Sequence, residues 1–274
     1  MNPLKKNTEP RAVRLLLVGL ALAYIALVLL IPLVCIFENA FSRGLHYYFA
    51  ALSTPESQSA ILLTISAALV AVPCNLIFGI AASWAIAKFD FPGKNILLTL
   101  IDLPLSVSPV ISGMTFMILF GAQGYFGPWL IRHHLQIVFA PPAIILATLF
   151  VTFPYVAREL IPIMKAQGSE EEEAAMTLGA NGWQSFFRIT LPNIRWGMLY
   201  GVILCNARAM GEYGSVAVVS GHIQGRTNTL PLHVEILYNE YDFAAAFAAA
   251  SLLVLLALVT LAAKKLIEPA INKD

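Results

Sequence analysis

Four carboxylates in a row, Glu170 to Glu173, and two opposite charges set in apolar sequence, Arg208 and Glu212, are the side chains here best placed for electrostatic work. Arg208 and Glu212 stand four apart, on one face if the run is a helix. They either close each other's charge as a structural pair at a subunit interface, or Arg208 attracts an anion in passage. Asp102, Ser106 and Ser108 share a run interrupted by Pro104 and Pro109. They either line a passage or re-satisfy carbonyls freed by the prolines. Covalent chemistry finds little to work with. Cys35, Cys74 and Cys205 lack metal or redox spacing and read as small core residues. His133, His134, His222 and His233 have no carboxylate or thiol at ligand spacing, so no metal is expected; the loops that carry them read as outer and solvated, or as contacts for an extracytoplasmic protein. A phosphate-binding loop needs GxxxxGK[ST], but the only Gly-Lys pair, Gly93-Lys94, has Lys88 where the first glycine belongs and Asn95 where Ser or Thr is needed. No cofactor is expected on this chain.

The elements that position these residues are membrane helices. With 58% hydrophobic and 12% charged residues and a mean hydropathy of +0.75, the chain is far more apolar than a globular protein in water. A hydrocarbon core about 30 Å thick takes roughly 20 apolar helical residues. Six runs meet that need: 13–37, 59–87, 96–120, 141–164, 196–220 and 243–263. The first is too long for the apolar part of a signal peptide and reads as an uncleaved anchor. None contains histidine, which argues against an intramembrane hydrolase. With the N-terminus inside, inner segments hold Lys5, Lys6, Arg11, Arg14, Lys88, Lys94, Lys165, Arg188, Arg195, Lys264, Lys265 and Lys273, against Arg43, Arg132 and Arg226 outside. That bias puts both termini in the cytoplasm. Arg158 and Glu159 end the fourth run and read as interfacial anchors. The fold class is therefore all-α and polytopic, a single membrane domain over 13–268 with short inner tails at 1–12 and 269–274. A net charge of +1 gives no reason to expect a nucleic-acid partner.

The carboxylate run falls in the inner loop 165–195. Ser169 and Glu172 match a capping box, and carboxylates in a first turn suit the helix dipole, so a helix is expected from Glu170. Gly179 is placed to stop it in a left-handed conformation. Trp183, Phe186 and Phe187 give a second short helix one aromatic face, which Pro192 ends. This helix-turn-helix is either an elbow lying on lipid headgroups or a docking element for a protein groove. Lipid-bound helices usually carry lysine and arginine on the polar face, and four glutamates suit a protein partner better.

Glu173-Ala174-Ala175, three residues, Gly179, nine residues, Ile189, one residue and Leu191-Pro192 resemble the EAA signature of permease subunits of bacterial ABC importers, matched at all seven specified positions. The stretches Leu103-Pro104-Leu105-Ser106-Val107-Ser108-Pro109, Arg208-Ala209-Met210-Gly211-Glu212-Tyr213-Gly214 and Thr227-Asn228-Thr229-Leu230-Pro231-Leu232 resemble the sulfate and molybdate branch. Val219 to Ile223 and Leu237 to Tyr241 look closest to the second permease type, the W type, of sulfate/thiosulfate importers. Ser108-Pro109 stands where that family is expected to have consecutive prolines. The resemblance implies the type I importer permease fold, with six transmembrane helices and a cytoplasmic coupling loop at 165–195. It also implies an ABC ATPase dimer carrying ATP and Mg, a homologous second permease and an extracytoplasmic sulfate-binding protein. A secondary transporter, the rival reading, has no need of such a loop. The substrate implied is sulfate or thiosulfate, with molybdate or tungstate as alternatives.

Overall fold

The computed structural model describes residues 11–271. Of the expected tails, 1–10 and 272–274 lie outside the described residues, while 269–271 continue the last helix. All regular structure among the described residues is helical. α1 (Arg11–Ile25) passes through a π turn, Ala26–Leu30, into α2 (Ile31–Ala40), and a short α3 (Leu45–Leu52) leads to α4 (Pro55–Lys88). Then come α5 (Lys94–Ser106), α6 (Pro109–Phe120), α7 (Gly127–Arg132) and α8 (Pro141–Gln167). The loop 165–195 holds α9 (Glu170–Thr177), α10 (Gly182–Ser185), a π turn at Phe186–Thr190 and α11 (Leu191–Asn193). α12 (Arg195–Met210), α13 (Gly214–Ser220), α14 (Leu230–Asn239) and α15 (Phe243–Ile271) complete the chain.

Four stretches are long and apolar enough to cross a bilayer unbroken: Ala12–Ala40, Pro55–Lys88, Pro141–Gln167 and Phe243–Thr260. The third expected run is a broken span, with α5 and α6 bent by 107°. Pro104 does not interrupt it as expected; it sits buried within α5, and the break falls at Val107–Ser108. Val107 and Ser108 are extended because Pro109, at the first position of α6, disfavours helical backbone in the residue before it. The fifth expected run is also divided, since α12 ends at Met210 and α13 begins only at Gly214.

Close approach of small residues holds the spans together. In lipid there is little hydrophobic drive between helices, so packing and interhelical hydrogen bonds must serve. α4 turns Ala60, Ala67, Ala68, Ala71, Gly79, Ala82 and Ser83 inward, largely against α8. A Cβ on Gly79 would stand 2.7 Å from Val156 Cγ1, and one on Gly201 of α12 would stand 3.3 Å from Val156 Cα. Val156 is thus wedged between two glycines on two helices. Asn75, fully buried, donates from Nδ2 to Leu149 O at 3.1 Å and Thr152 Oγ1 at 2.8 Å, tying α4 to α8. Cys205 is buried beside it, but Cys35 and Cys74 are exposed, contrary to the expectation that all three are core. An outward-facing position on a membrane helix is as apolar as an inward one, so apolar context alone does not separate them.

Candidate functional site

The loop 165–195 is held in place largely through its carboxylates. α9 begins at Glu170 as expected, but Ser169 and Glu172 do not form the capping box. Ser169 donates instead to Glu173, and Glu172 turns toward the body of the chain. There Lys88 Nζ, at the end of α4, approaches Glu172 Oε1 at 3.0 Å, and Thr190 Oγ1 donates to the same oxygen at 2.5 Å. Asn193 Nδ2 donates to Glu171 Oε2 at 2.6 Å, and Lys88 also reaches the carbonyl of Gly168. A charged partner with two hydrogen-bonding routes outcompetes a cap at a solvated terminus. The capping box appears one helix later: Asn181 Oδ1 accepts from Gln184 N at 2.8 Å, and Gln184 Oε1 accepts from Asn181 N at 2.9 Å. The pairings of Lys88, Thr190 and Asn193 were not legible in the sequence because their partners lie far along the chain.

Gly179 has φ +93°. Its N–H bonds to Met176 O at 3.0 Å while Ala180 N–H bonds to Ala175 O at 3.0 Å, the paired pattern of a Schellman stop. Pro192 does not end the second helix. The π turn just before it lets Leu191 N–H bond to Phe186 O, and this wider turn accommodates the proline, so the helix runs on to Asn193. The aromatic face divides: Phe186 is buried with its ring 4.8 Å from Trp84, whereas Trp183 and Phe187 stack outward. Glu173, Ala174 and Pro192 are exposed, and Ala175, Ile189 and Leu191 are half-buried. Met176, Leu178, Trp183 and Phe187 are 51%, 89%, 68% and 57% exposed, so an anchored base carries an open apolar rim.

The charges set in apolar runs form two different pairs. Arg208 Nη1 meets Glu212 Oε2 at 2.6 Å, with Glu212 only 1% exposed. Contrary to the expectation that they share a helical face, they flank the break between α12 and α13. Glu212 Oε1 accepts from Ser215 N at 2.9 Å and Ser215 Oγ at 2.6 Å, so it caps α13, while Arg208 lies in the last turn of α12. Each charge thus complements the helix end it occupies. The second pair was not expected: Arg158 Nε stands 3.4 Å from Asp102 Oδ1, joining α8 to α5. Arg158 is no anchor at a helix end, because α8 continues nine residues further, to Gln167. Ser106 and Ser108 are exposed at the α5–α6 elbow. Elbow and break adjoin, since a Cβ on Gly214 would stand 3.0 Å from Pro109 Cβ. His233 does not sit in a solvated loop: it is 3% exposed, with Nε2 2.8 Å from Ser57 Oγ, and burial holds its imidazole below the ordinary value against the opposing charges of Glu56 and Glu240.

The family model for binding-protein-dependent transport system inner membrane components matches residues 75–273. The chain belongs to this family. It is 50% identical over 252 residues to the sulfate transport system permease protein CysW of Escherichia coli (strain K12), covering 92% of this chain and 87% of that one. To the sulfate transport system permease protein CysT of the same strain it is 32% identical over 243 residues, covering 89% and 88%. A crystal structure of a bacterial ABC transporter involved in import of the acidic polysaccharide alginate has the same fold, with a TM-score of 0.77 at 16% identity over 96% of both chains. The permease is therefore an all-α, multi-pass membrane protein. As a transport component it is not itself a catalyst.

Proposed function

We propose that this chain is the membrane-spanning permease subunit of an ATP-driven importer that carries sulfate, with thiosulfate, across the cytoplasmic membrane. The observation that carries the reading is 50% identity across nearly the whole chain to a sulfate transport permease. The partners are a second permease of the CysT kind, an ABC ATPase dimer that holds ATP and Mg, and an extracytoplasmic sulfate-binding protein; no cofactor resides on this chain. Both termini face the cytoplasm. The loop 165–195 couples the two functions: Glu173, Ala174, Ala175 and Gly179 present α9 to the ATPase, and Ile189, Leu191 and Pro192 carry its motion into α12. The open rim of Met176, Leu178, Trp183 and Phe187, set on a base tied down by Lys88 and Glu172, supports this, because apolar side chains in such a loop need a protein surface to cover them. Closure of the ATPase pair draws the loops together and turns the passage outward; release after hydrolysis returns it inward. Arg208 and Glu212 act as a structural pair at the helix break.

Reconstitution of the four components in vesicles tests the reading. ATP-dependent sulfate uptake is expected from the complete assembly and from no subset lacking a permease or the ATPase. Sulfate uptake by this chain alone refutes the subunit assignment. Transport of molybdate or tungstate in preference to sulfate moves the substrate to the alternative oxyanions.

A further inference from the structure

One face of α5 is polar along its whole length although the helix lies in an apolar run. Asn95, Thr99, Asp102 and Ser106 recur at i, i+4, i+7 and i+11, the spacing of a single helical stripe, and all are exposed or half-exposed. Arg158 joins this stripe from α8, with side-chain exposures of 59% for Arg158 and 49% for Asp102. The place of the pair along α8 argues against a headgroup explanation. α8 is a candidate span and continues nine residues, about 14 Å, beyond Arg158 to Gln167, so the pair sits within the span and not at its end. An aspartate is too short to snorkel far along a span, and an open ion pair within a span faces protein or water rather than lipid.

The two intramembrane pairs differ in a way that assigns them different work. Arg208 and Glu212 meet at 2.6 Å, with the carboxylate buried and held by Ser215. Arg158 and Asp102 meet at 3.4 Å and are open on one side. A tight buried pair locks; a loose open pair can exchange partners.

We propose that the Asn95–Thr99–Asp102–Ser106 stripe of α5 lines the water-filled passage, and that Arg158 is the residue that contacts the tetrahedral oxyanion, with Asp102 as its displaceable counter-ion. This rests on the importer reading above. A guanidinium fork matches an oxyanion's geometry, and a dianion competes well with a single carboxylate for it. Asp102 gives the opposite benefit on departure, since it reclaims the cation and keeps the oxyanion from being trapped; conduction needs binding that is weak enough to reverse. The hydroxyl and amide groups of Ser106, Thr99 and Asn95 carry the ion along the same face toward the inner end of α5.

Two measurements on the complete reconstituted importer test this. First, Ser106→Cys and Leu100→Cys are made separately in a transporting, cysteine-free chain and treated with a charged, water-soluble thiol reagent during turnover. Ser106→Cys is expected to react and Leu100→Cys, exposed on another side of α5, to resist. Second, ATP-dependent uptake is compared for Arg158→Gln, Arg158→Lys, Asp102→Asn and the double Asp102→Asn/Arg158→Gln, with extracted complex and binding-protein-stimulated ATPase measured beside it. Arg158→Gln is expected to lose uptake by about tenfold or more, the loss of one charge-assisted contact, while complex and ATPase persist. Arg158→Lys recovers part of the uptake, and the double variant stays as low as Arg158→Gln. Restoration of uptake in the double variant makes the pair a structural contact with the second permease and overturns the proposal. So does normal uptake by Arg158→Gln, or a Ser106→Cys that never reacts. If the wild-type complex moves no tetrahedral oxyanion, the importer reading fails, and the labelling still decides whether this face is wet.

Discussion

Glu172 and Glu212 each have a cation and a hydroxyl as partners, yet they do different things. Glu172 draws Lys88 and Thr190 to itself and moors a surface loop. Glu212 is almost fully buried and joins two helix ends. Removing one partner of a buried pair leaves a charge without compensation, which costs about 3 to 5 kcal/mol, whereas replacing both with neutral residues of similar size is often tolerated. Arg208→Gln or Glu212→Gln alone is therefore expected to reduce detergent-extracted complex at equal expression. The double change is expected to restore assembly and much of the sulfate uptake. Assembly restored without uptake would give Arg208 a direct part in the passage, and undiminished assembly in both single variants would contradict a structural pair.

Among the elements, the loop proposed for coupling carries two backbone devices beside the side-chain bonds that moor it. The stop at Gly179 and the π turn before Pro192 set the angle between α9 and the helix that leads into α12. No atom lies within 4 Å of a Cβ placed on Gly179, so a substitution meets no clash and its cost is conformational, about 1 kcal/mol or more. Gly179→Val is expected to insert and extract normally but to weaken ATPase binding or to uncouple hydrolysis from uptake. Gly179→Asn, which tolerates the left-handed region better, is expected to lie between valine and wild type. Equal coupled uptake in all three chains would show that the stop has no role in coupling.

For the whole molecule, the lysine and arginine bias is expected to set the direction of the spans. The bias predicts that the loop with Gly182 is cytoplasmic and the one with His134 extracytoplasmic, and both residues are exposed. Single cysteines at these positions, in a cysteine-free chain on intact cells, are expected to react with an impermeant thiol reagent at 134 and not at 182. The reverse pattern would invert the topology and place the coupling loop on the wrong side of the membrane for an ATPase.

Composition, run length and the EAA spacing were enough to determine an all-α membrane permease, because each depends on local composition or on fixed offsets within one segment. Gly179's conformation was legible for the same reason: a glycine after a short polar helix has few other uses. Where spans break was only half legible. Pro109 breaks the third run while Pro104 rides inside α5, and the fifth run parts at Gly211–Tyr213, although a proline or a glycine stands at each of the three places. The difference is set by what packs alongside, such as Pro109 against Gly214. Pairings across helices were not legible at all. Lys88 with Glu172 and Arg158 with Asp102 join residues far apart in sequence, and only the tertiary arrangement brings them together. The same holds for charges in the bilayer: their presence signals a role, but burial and distance, which no periodicity encodes, separate the pair that locks from the pair that can yield.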